Sequence, residues 1–316
     1  MSRIYEALQK AETERMLERQ EREPRNFEQP VNPDAASVTA VVDAEFNLNS
    51  ALPVAESLQE PVPTPVSGDA LDLSKVERRP WTPAFTQIPA LLERGPSVEQ
   101  FRSLRSRIYE LRGISPLKSI LVTSGMPQEG KSFISTNLAF SLARHKNSRV
   151  LLIDGDMRRY TLHQTLGCES QPGLADYLAG KVSIVEAMQR PEQSADANAR
   201  QTLPPNITFI AGGNGGDKAA DLSGNPRFGE LIRQTSPYFD WIIVDSSPVL
   251  PVSDGVNMAR ACDGVLLVAR EGVTKFPVAQ RAQSELKASN ILGFVLNAVH
   301  EMPQVGNYYG YDASKE

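Results

Sequence analysis

Eight consecutive residues, Gly125-Met126-Pro127-Gln128-Glu129-Gly130-Lys131-Ser132, constrain this chain more than any other stretch. They satisfy G-x-x-x-x-G-K-[ST], with the apolar run Ile120-Leu121-Val122-Thr123 before them and a helical pattern over 131–145 after them. Glycines let the backbone wrap until its N–H groups converge on phosphate oxygens. The N-terminus of the helix that follows adds partial positive charge. Lys131 then reaches the outer phosphates of a nucleotide, and the Ser132 hydroxyl is placed to ligate Mg²⁺. A glycine-rich turn with a surface lysine is the plain alternative, but it does not account for a strand before and a helix after. Lys131 is expected to face solvent until a nucleotide arrives.

Short apolar runs rich in β-branched residues recur at 119–123, 149–153, 207–211, 241–244, 265–269 and 291–299. Helical patterns lie between them, over 131–145, 227–234 and 278–288. Ahead of them, 98–111 reads as an amphipathic helix with Phe101, Leu104, Ile108 and Leu111 on one face. Alternation of buried strands with helices predicts a doubly wound, mostly parallel α/β sheet of the P-loop NTPase type. In such a sheet ligands bind beyond the carboxyl ends of the strands. Two strands end in acidic residues: Val150-Leu151-Leu152-Ile153 runs into Asp154-Gly155-Asp156, and Trp241-Ile242-Ile243-Val244 into Asp245-Ser246-Ser247-Pro248. With the Walker A loop at 125–132, these read as a second aspartate motif and a Walker B strand. Asp245 is placed like the carboxylate that holds the metal in phosphate-loop enzymes. A lone strand-end aspartate is more often a helix cap, and for Asp154 or Asp156 taken singly that reading stays open.

The charge is unevenly distributed. The chain has 33 basic and 38 acidic residues, yet 26–74 contain no Lys or Arg and eight Asp or Glu. The remainder from 75 onward carries 27 basic and 24 acidic side chains, too mild a bias for a dedicated nucleic-acid binder. Residues 1–23 read as a thin amphipathic helix with Ile4, Leu8 and Ala11 on one side, either solvated or completed by a partner. Eleven of 23 prolines fall within 24–96, so 24–94 reads as a disordered acidic, Pro-rich linker. The folded domain is expected over 95–302 and a tyrosine-bearing tail over 303–316. Cys168 and Cys262 are the only cysteines and fit reduced thiols in a cytoplasmic protein. No apolar run reaches the roughly 20 residues that span a bilayer, and the N-terminus lacks a secretory apolar core. A membrane role is therefore expected to go through a partner.

The combination resembles the bacterial tyrosine kinases of capsule and exopolysaccharide synthesis. The resemblance covers about 95–316. It rests on the phosphate loop, on Leu152-Ile153-Asp154-Gly155-Asp156-Met157-Arg158-Arg159, and on Ile243-Val244-Asp245-Ser246-Ser247-Pro248. Gly293-Phe294-Val295-Leu296-Asn297 and the cluster Tyr308-Tyr309-Gly310-Tyr311 add to it. Glu99-Gln100-Phe101-Arg102-Ser103-Leu104-Arg105 matches an E-x-x-R-x-x-R pattern that in this family is similar to a helix joining neighbouring subunits in a ring. Tyr160 and Ala298 depart from the family, which often has proline and arginine at these places.

The resemblance implies ATP as phosphate donor, Mg²⁺ as cofactor, and Tyr308, Tyr309 and Tyr311 as acceptors phosphorylated in trans. It implies Asp154 as the base for the phenol or the group that positions it. Asp156 and Asp245, with Ser132, organise Mg²⁺ directly or through water. Gly125, Glu129, Gly130, Lys131, Ser132, Phe133, Arg158 and Asn297 make up the nucleotide site, with Asn297 toward the base. Glu99, Arg102 and Arg105 join a homo-oligomeric ring, although an ordinary solvated helix flank fits their spacing too. A separate transmembrane activator of the polysaccharide co-polymerase type is the implied partner, which would hold the kinase at the inner face of the cytoplasmic membrane. Two rivals share the motifs: a switch ATPase like those of septum placement and plasmid partition, and a nucleotide-gated scaffold without catalysis. The switch ATPases carry an extra lysine near the start of the loop, where this chain has Met126.

Overall fold

Strands covered on both faces need apolar residues without alternation. The runs at 119–124, 150–154 and 241–245 have that character, and every residue of all three is buried. The computed structural model describes residues 71–145, 147–192 and 203–299. The 1–23 helix, most of the linker and the tail with Tyr308, Tyr309 and Tyr311 lie outside the described residues.

In chain order the elements begin with β1 (Glu77–Arg79), α1 (Pro96–Ile114), β2 (Ser119–Ser124), α2 (Lys131–Ala143) and β3 (Val150–Asp154). Then come α3 (Leu162–Leu166), α4 (Leu174–Leu178), α5 (Ile184–Ala187), β4 (Met188–Pro191) and β5 (Ile207–Ile210). The remainder is α6 (Ala219–Ser223), α7 (Arg227–Thr235), β6 (Trp241–Asp245), α8 (Asp254–Ala259), β7 (Gly264–Arg270), α9 (Phe276–Glu285) and β8 (Ile291–Asn297). The strands form one sheet in the order β1-β4-β5-β3-β6-β2-β7-β8. Only the β4–β5 pairing is antiparallel among the described residues. The sheet is thus doubly wound and mostly parallel, as the alternation of elements predicts.

Each strand feeds two cores, because successive side chains point to opposite faces. Leu121, Leu151, Ile153, Ile242 and Val244 pack under Leu174 and Tyr177 of α4, Phe228 and Leu231 of α7, and Met258 of α8. Ile120, Val122, Leu152, Trp241 and Ile243 pack on the other face, against Phe101 and Ile108 of α1 and Ile134, Leu138 and Phe140 of α2. From Ile134 to Ala143 every residue of α2 is buried. The helix is thus interior on all sides although Ser135, Thr136, Asn137 and Ser141 are polar, and it carries the phosphate loop at its N-terminus.

The linker expectation needs correction at its C-terminal end. Residues 71–94 are folded onto the domain. Strand β1 adds to the sheet beside β4 with Glu77 opposite Gln189. Trp81 meets the Phe209 ring edge-on at 6.0 Å, and Ile88 is fully buried. The Ala90 N–H donates to Asn137 Oδ1 of α2 at 3.0 Å. Even Leu71 is tied down, its N–H donating to the Tyr238 hydroxyl at 2.8 Å. This strap has no periodicity of its own, since α2, α3 and β5 order it one contact at a time. Its prolines Pro80, Pro83 and Pro89 also make it look continuous with the acidic linker. Among the described residues no helix is long and apolar enough to cross a membrane.

Candidate active site

The phosphate loop joins β2 to α2, and its shape is set by groups far away in sequence. Gly130 has φ +96°, a left-handed conformation that glycine adopts at least cost, and a Cβ there would lie 1.9 Å from Asn297 Nδ2. That amide donates to the Glu129 carbonyl at 3.0 Å. The Glu129 carboxylate is buried, accepts from the Met126 N–H at 2.8 Å and also accepts from the Thr274 hydroxyl. Arg270 donates to the Gln128 carbonyl at 3.3 Å. Of the residues expected at the nucleotide, Glu129 and Asn297 therefore brace the loop's own backbone. The ring of Phe133 is partly exposed and rests on Phe101 at 5.7 Å.

The carboxylates converge because β3 and β6 are neighbours in register, with Asp154 opposite Asp245. The Gly155 N–H donates to the Asp245 carbonyl at 2.8 Å, and a Cβ on Gly155 would fall 2.6 Å from that oxygen. Glycine is needed there to let the two strand ends meet. Asp154 is fully buried and accepts from the Asp156 N–H at 3.2 Å and the Leu162 N–H at 3.1 Å. Burial, and then the charge of Asp245, hold its pKa well above the ordinary carboxylate range. Burial also pushes Asp245 up to about 6, while the Lys131 charge and the Ser132 and Ser135 hydroxyls pull it down. Asp245 Oδ1 has no hydrogen-bond partner among the described residues.

Lys131 supplies the countercharge. Its Nζ lies 3.3 Å from Asp156 Oδ2, with the lysine side chain 14% and the aspartate side chain 5% exposed. The expectation of a solvent-facing lysine is thus overturned: the Asp156 carboxylate and the charge of Asp245 draw the ammonium in. Asp156 is further held by the Arg159 N–H at 3.1 Å. Arg158 does not stand free for a ligand, because its Nε donates to Asp254 Oδ2 at 2.7 Å. Asp254, buried at the start of α8, is a site residue the sequence reading missed. Its only sequence signal is an acid beginning a helix soon after the Walker B strand, which reads equally well as a cap.

Between the loop and the strand ends opens a cavity of about 320 Å³, lined by Gln128, Lys131, Asp156, Arg158, Arg159 and Ser247 among others. With Arg158 compensated by Asp254, Lys131 and Arg159 against the one Asp156 carboxylate still leave a positive lining that suits a polyanion. The three residues expected at a subunit interface do not form one free flank of α1. Glu99 and Arg102 pair at 2.6 Å, each about half exposed, but Arg105 donates within its own chain to the Ser141 carbonyl at 2.7 Å.

A family model described as an AAA domain matches residues 124–275, the part that holds the loop and all the strand-end carboxylates. The chain is 32% identical over 205 residues to tyrosine-protein kinase ptk of Acinetobacter johnsonii, covering 64% of this chain and 26% of that protein. It thus spans about a quarter of the length of the first of its curated relatives. Tyrosine-protein kinase YwqD of Bacillus subtilis is 31% identical over 221 residues, which cover 69% of this chain and 87% of the relative. Among solved structures, the kinase domain of Escherichia coli tyrosine kinase ETK superposes with a TM-score of 0.57 at 28% identity, covering 68% of this chain and 80% of that one. A relative covered over 87% of its own length settles the lineage: the chain belongs to the bacterial phosphate-loop tyrosine-protein kinases.

Proposed function

We propose that this protein is an ATP-dependent tyrosine kinase that phosphorylates Tyr308, Tyr309 and Tyr311 in trans and regulates exopolysaccharide or capsule polymerisation and export. The observation that carries the reading is the meeting of Asp154, Asp245 and the Lys131–Asp156 pair beside the phosphate loop. Backbone N–H groups of the loop and Lys131 bind the phosphates of ATP, with Arg158 or Arg159 adding positive charge at the cavity wall. The buried Asp245 Oδ1, without a hydrogen-bond partner among the described residues, fits a metal ion better than an empty interior. Ser132, Asp156 and Asp245 would hold Mg²⁺, which neutralises phosphate charge when bound.

In the reaction the acceptor phenol oxygen forms a bond to the γ-phosphorus as the bond to the bridging β–γ oxygen breaks and ADP leaves. The phenol proton passes to Asp154, or Asp154 orients the hydroxyl while solvent takes the proton. The raised pKa of Asp154 narrows its gap to a phenol near 10, which favours proton uptake late in the transfer.

Loss of the proton and gain of phosphate add about −1.5 to −2 charges to the tail. Repulsion from the strand-end aspartates then releases it and loosens a ring held partly by Glu99 and Arg102. The activator is a separate transmembrane protein of the polysaccharide co-polymerase type that keeps the kinase at the inner face of the cytoplasmic membrane. Labelled ATP and Mg²⁺ with the full chain and its activator test this. Phosphate on the tail tyrosines by mass spectrometry is expected. Free phosphate alone would favour the switch ATPase, and nucleotide binding alone the scaffold.

A further inference from the structure

The segment after β3 carries Arg158, and the segment after β6 leads to Asp254 at the start of α8. The two side chains pair side-on. Arg158 Nε donates to Asp254 Oδ2 at 2.7 Å, and Nη2 faces Oδ1 at 3.4 Å. The pair is asymmetric: the Asp254 side chain is 3% exposed, and that of Arg158 is 35% exposed. Arg158 lines the phosphate-side cavity and Asp254 does not, so the carboxylate stands behind the guanidinium.

Asp254 is a fixed point. Met258 and Ala259 of the same helix are fully buried, and a Cβ on Gly255 would lie 2.7 Å from the Ser247 carbonyl. Asn257 Nδ2 donates to the Ser223 hydroxyl at 3.3 Å, which ties α8 to α6. A carboxylate taken out of water is costly unless it is paired and hydrogen-bonded, so Asp254 in turn holds Arg158 firmly.

A guanidinium carries five N–H donors in a planar fork. Asp254 takes the Nε edge, and among the described residues no hydrogen bond takes Nη1. The Asp254 hydrogen bond, opposed by desolvation and aided by the charges of Asp254, Asp156 and the exposed Asp217, raises the pKa of Arg158, so the side chain stays charged. Asp156 is also the partner of Lys131, whose ammonium serves the outer phosphates. Arg158 therefore stands at the outer-phosphate end of the cavity with one edge of its fork uncommitted. Arg159 shares this wall without an ion pair of its own among the described residues.

We propose that Asp254 is a positioning residue that holds Arg158 with its open edge toward the outermost phosphate of a bound nucleoside triphosphate. The proposal rests on the nucleotide-binding part of the kinase reading and adds discrimination, because a diphosphate lacks the group that this edge meets. Asp254 orders the arginine before the nucleotide arrives, so the triphosphate gains the contact without the entropic cost of fixing a long side chain.

The test uses the full chain with Mg²⁺ and isothermal titration of ADP and of a non-hydrolysable ATP analogue. Asp254→Asn should weaken the analogue roughly three- to tenfold and leave ADP affinity unchanged. Arg158→Ala should weaken the analogue roughly tenfold or more, and adding Asp254→Asn to it should cost nothing further. Asp217→Asn, which removes an exposed charge that makes no hydrogen bond to Arg158, should change neither affinity. Arg158→Lys alters the more exposed partner, keeps the charge and loses the fork, so it should show the selective loss even where Asp254→Asn proves too unstable to titrate. Equal losses of ADP and analogue, additive losses in the double variant, or full selectivity in Arg158→Lys would overturn the positioning role. Tighter analogue binding by Asp254→Asn would overturn it too, and would make the pair a latch that keeps Arg158 from the phosphate. The selective loss without phosphotyrosine in the wild type would keep the positioning role and refute the kinase reading; phosphotyrosine with unaltered selectivity in the variants would do the reverse.

Discussion

Replacing Asp245 by asparagine should stabilise the ligand-free protein while abolishing phosphoryl transfer. Asp245 is buried at 1% exposure, faces Asp154 across the β3–β6 register, and has no hydrogen-bond partner for Oδ1 among the described residues. Its pKa rises from 3.8 to about 6. Because the folded value lies above the unfolded one, the group favours the folded state most at low pH, and that contribution is lost as pH rises through about 6. A difference of about two units at about 1.4 kcal/mol each makes the ionised group cost about 3 kcal/mol at neutral pH. Asparagine keeps the shape without the charge and also relieves the Coulombic pressure on Asp154. For a domain of this size 3 kcal/mol corresponds to roughly 5–10 °C in Tm. The assay is a thermal melt without nucleotide or Mg²⁺ at pH 7.5 and 4.5. The variant should melt higher at pH 7.5, and its advantage should shrink to about 1 kcal/mol at pH 4.5, where the wild type is mostly protonated. A variant less stable than wild type at pH 7.5, or an advantage that does not change with pH, would refute the argument that desolvation dominates at these strand ends.

Lys131→Ala should abolish nucleotide-dependent phosphorylation and also lower Tm, since it strips the countercharge from Asp156 in a nearly buried pair; a normal phosphorylation rate would sink the assignment. Glu99→Ala with Arg102→Ala should reduce the mass seen by light scattering if the protein assembles through α1, whereas Arg105→Ala should cost stability as well, because it removes the bond to Ser141. A chain beginning at Leu71 should melt like the full protein, while one beginning at Gly95 loses Trp81, Ile88 and Ala90 from the core. Their burial is worth about 1.5–3 kcal/mol for each large side chain, so equal melting of the two truncations would contradict the strap. Gly130→Ala should weaken nucleotide binding at least tenfold in equilibrium titration, because its Cβ would strike Asn297 and its φ would be strained.

The sequence alone determined the sheet and the chemistry at its strand ends. Each unbroken apolar run is a local statement about burial on both faces. The spacing within 125–132 is a local statement about backbone curvature, and the aspartates follow directly from the strands they terminate. All of that is legible because it depends on near neighbours in the chain. The tertiary structure decided what those groups face. Lys131 turns inward because carboxylates from two other strands meet there, and Arg158 is taken by Asp254, 96 residues away. Asn297 and Glu129 serve the loop's backbone because β8 and the 271–275 loop close over it. Residues 71–94 look like linker because their order comes from α2, α3 and β5, and no repeat within the segment announces it. Charge balance and hydrogen-bond satisfaction are set by whatever the fold brings within a few ångströms, so they could be read only once the strands lay side by side.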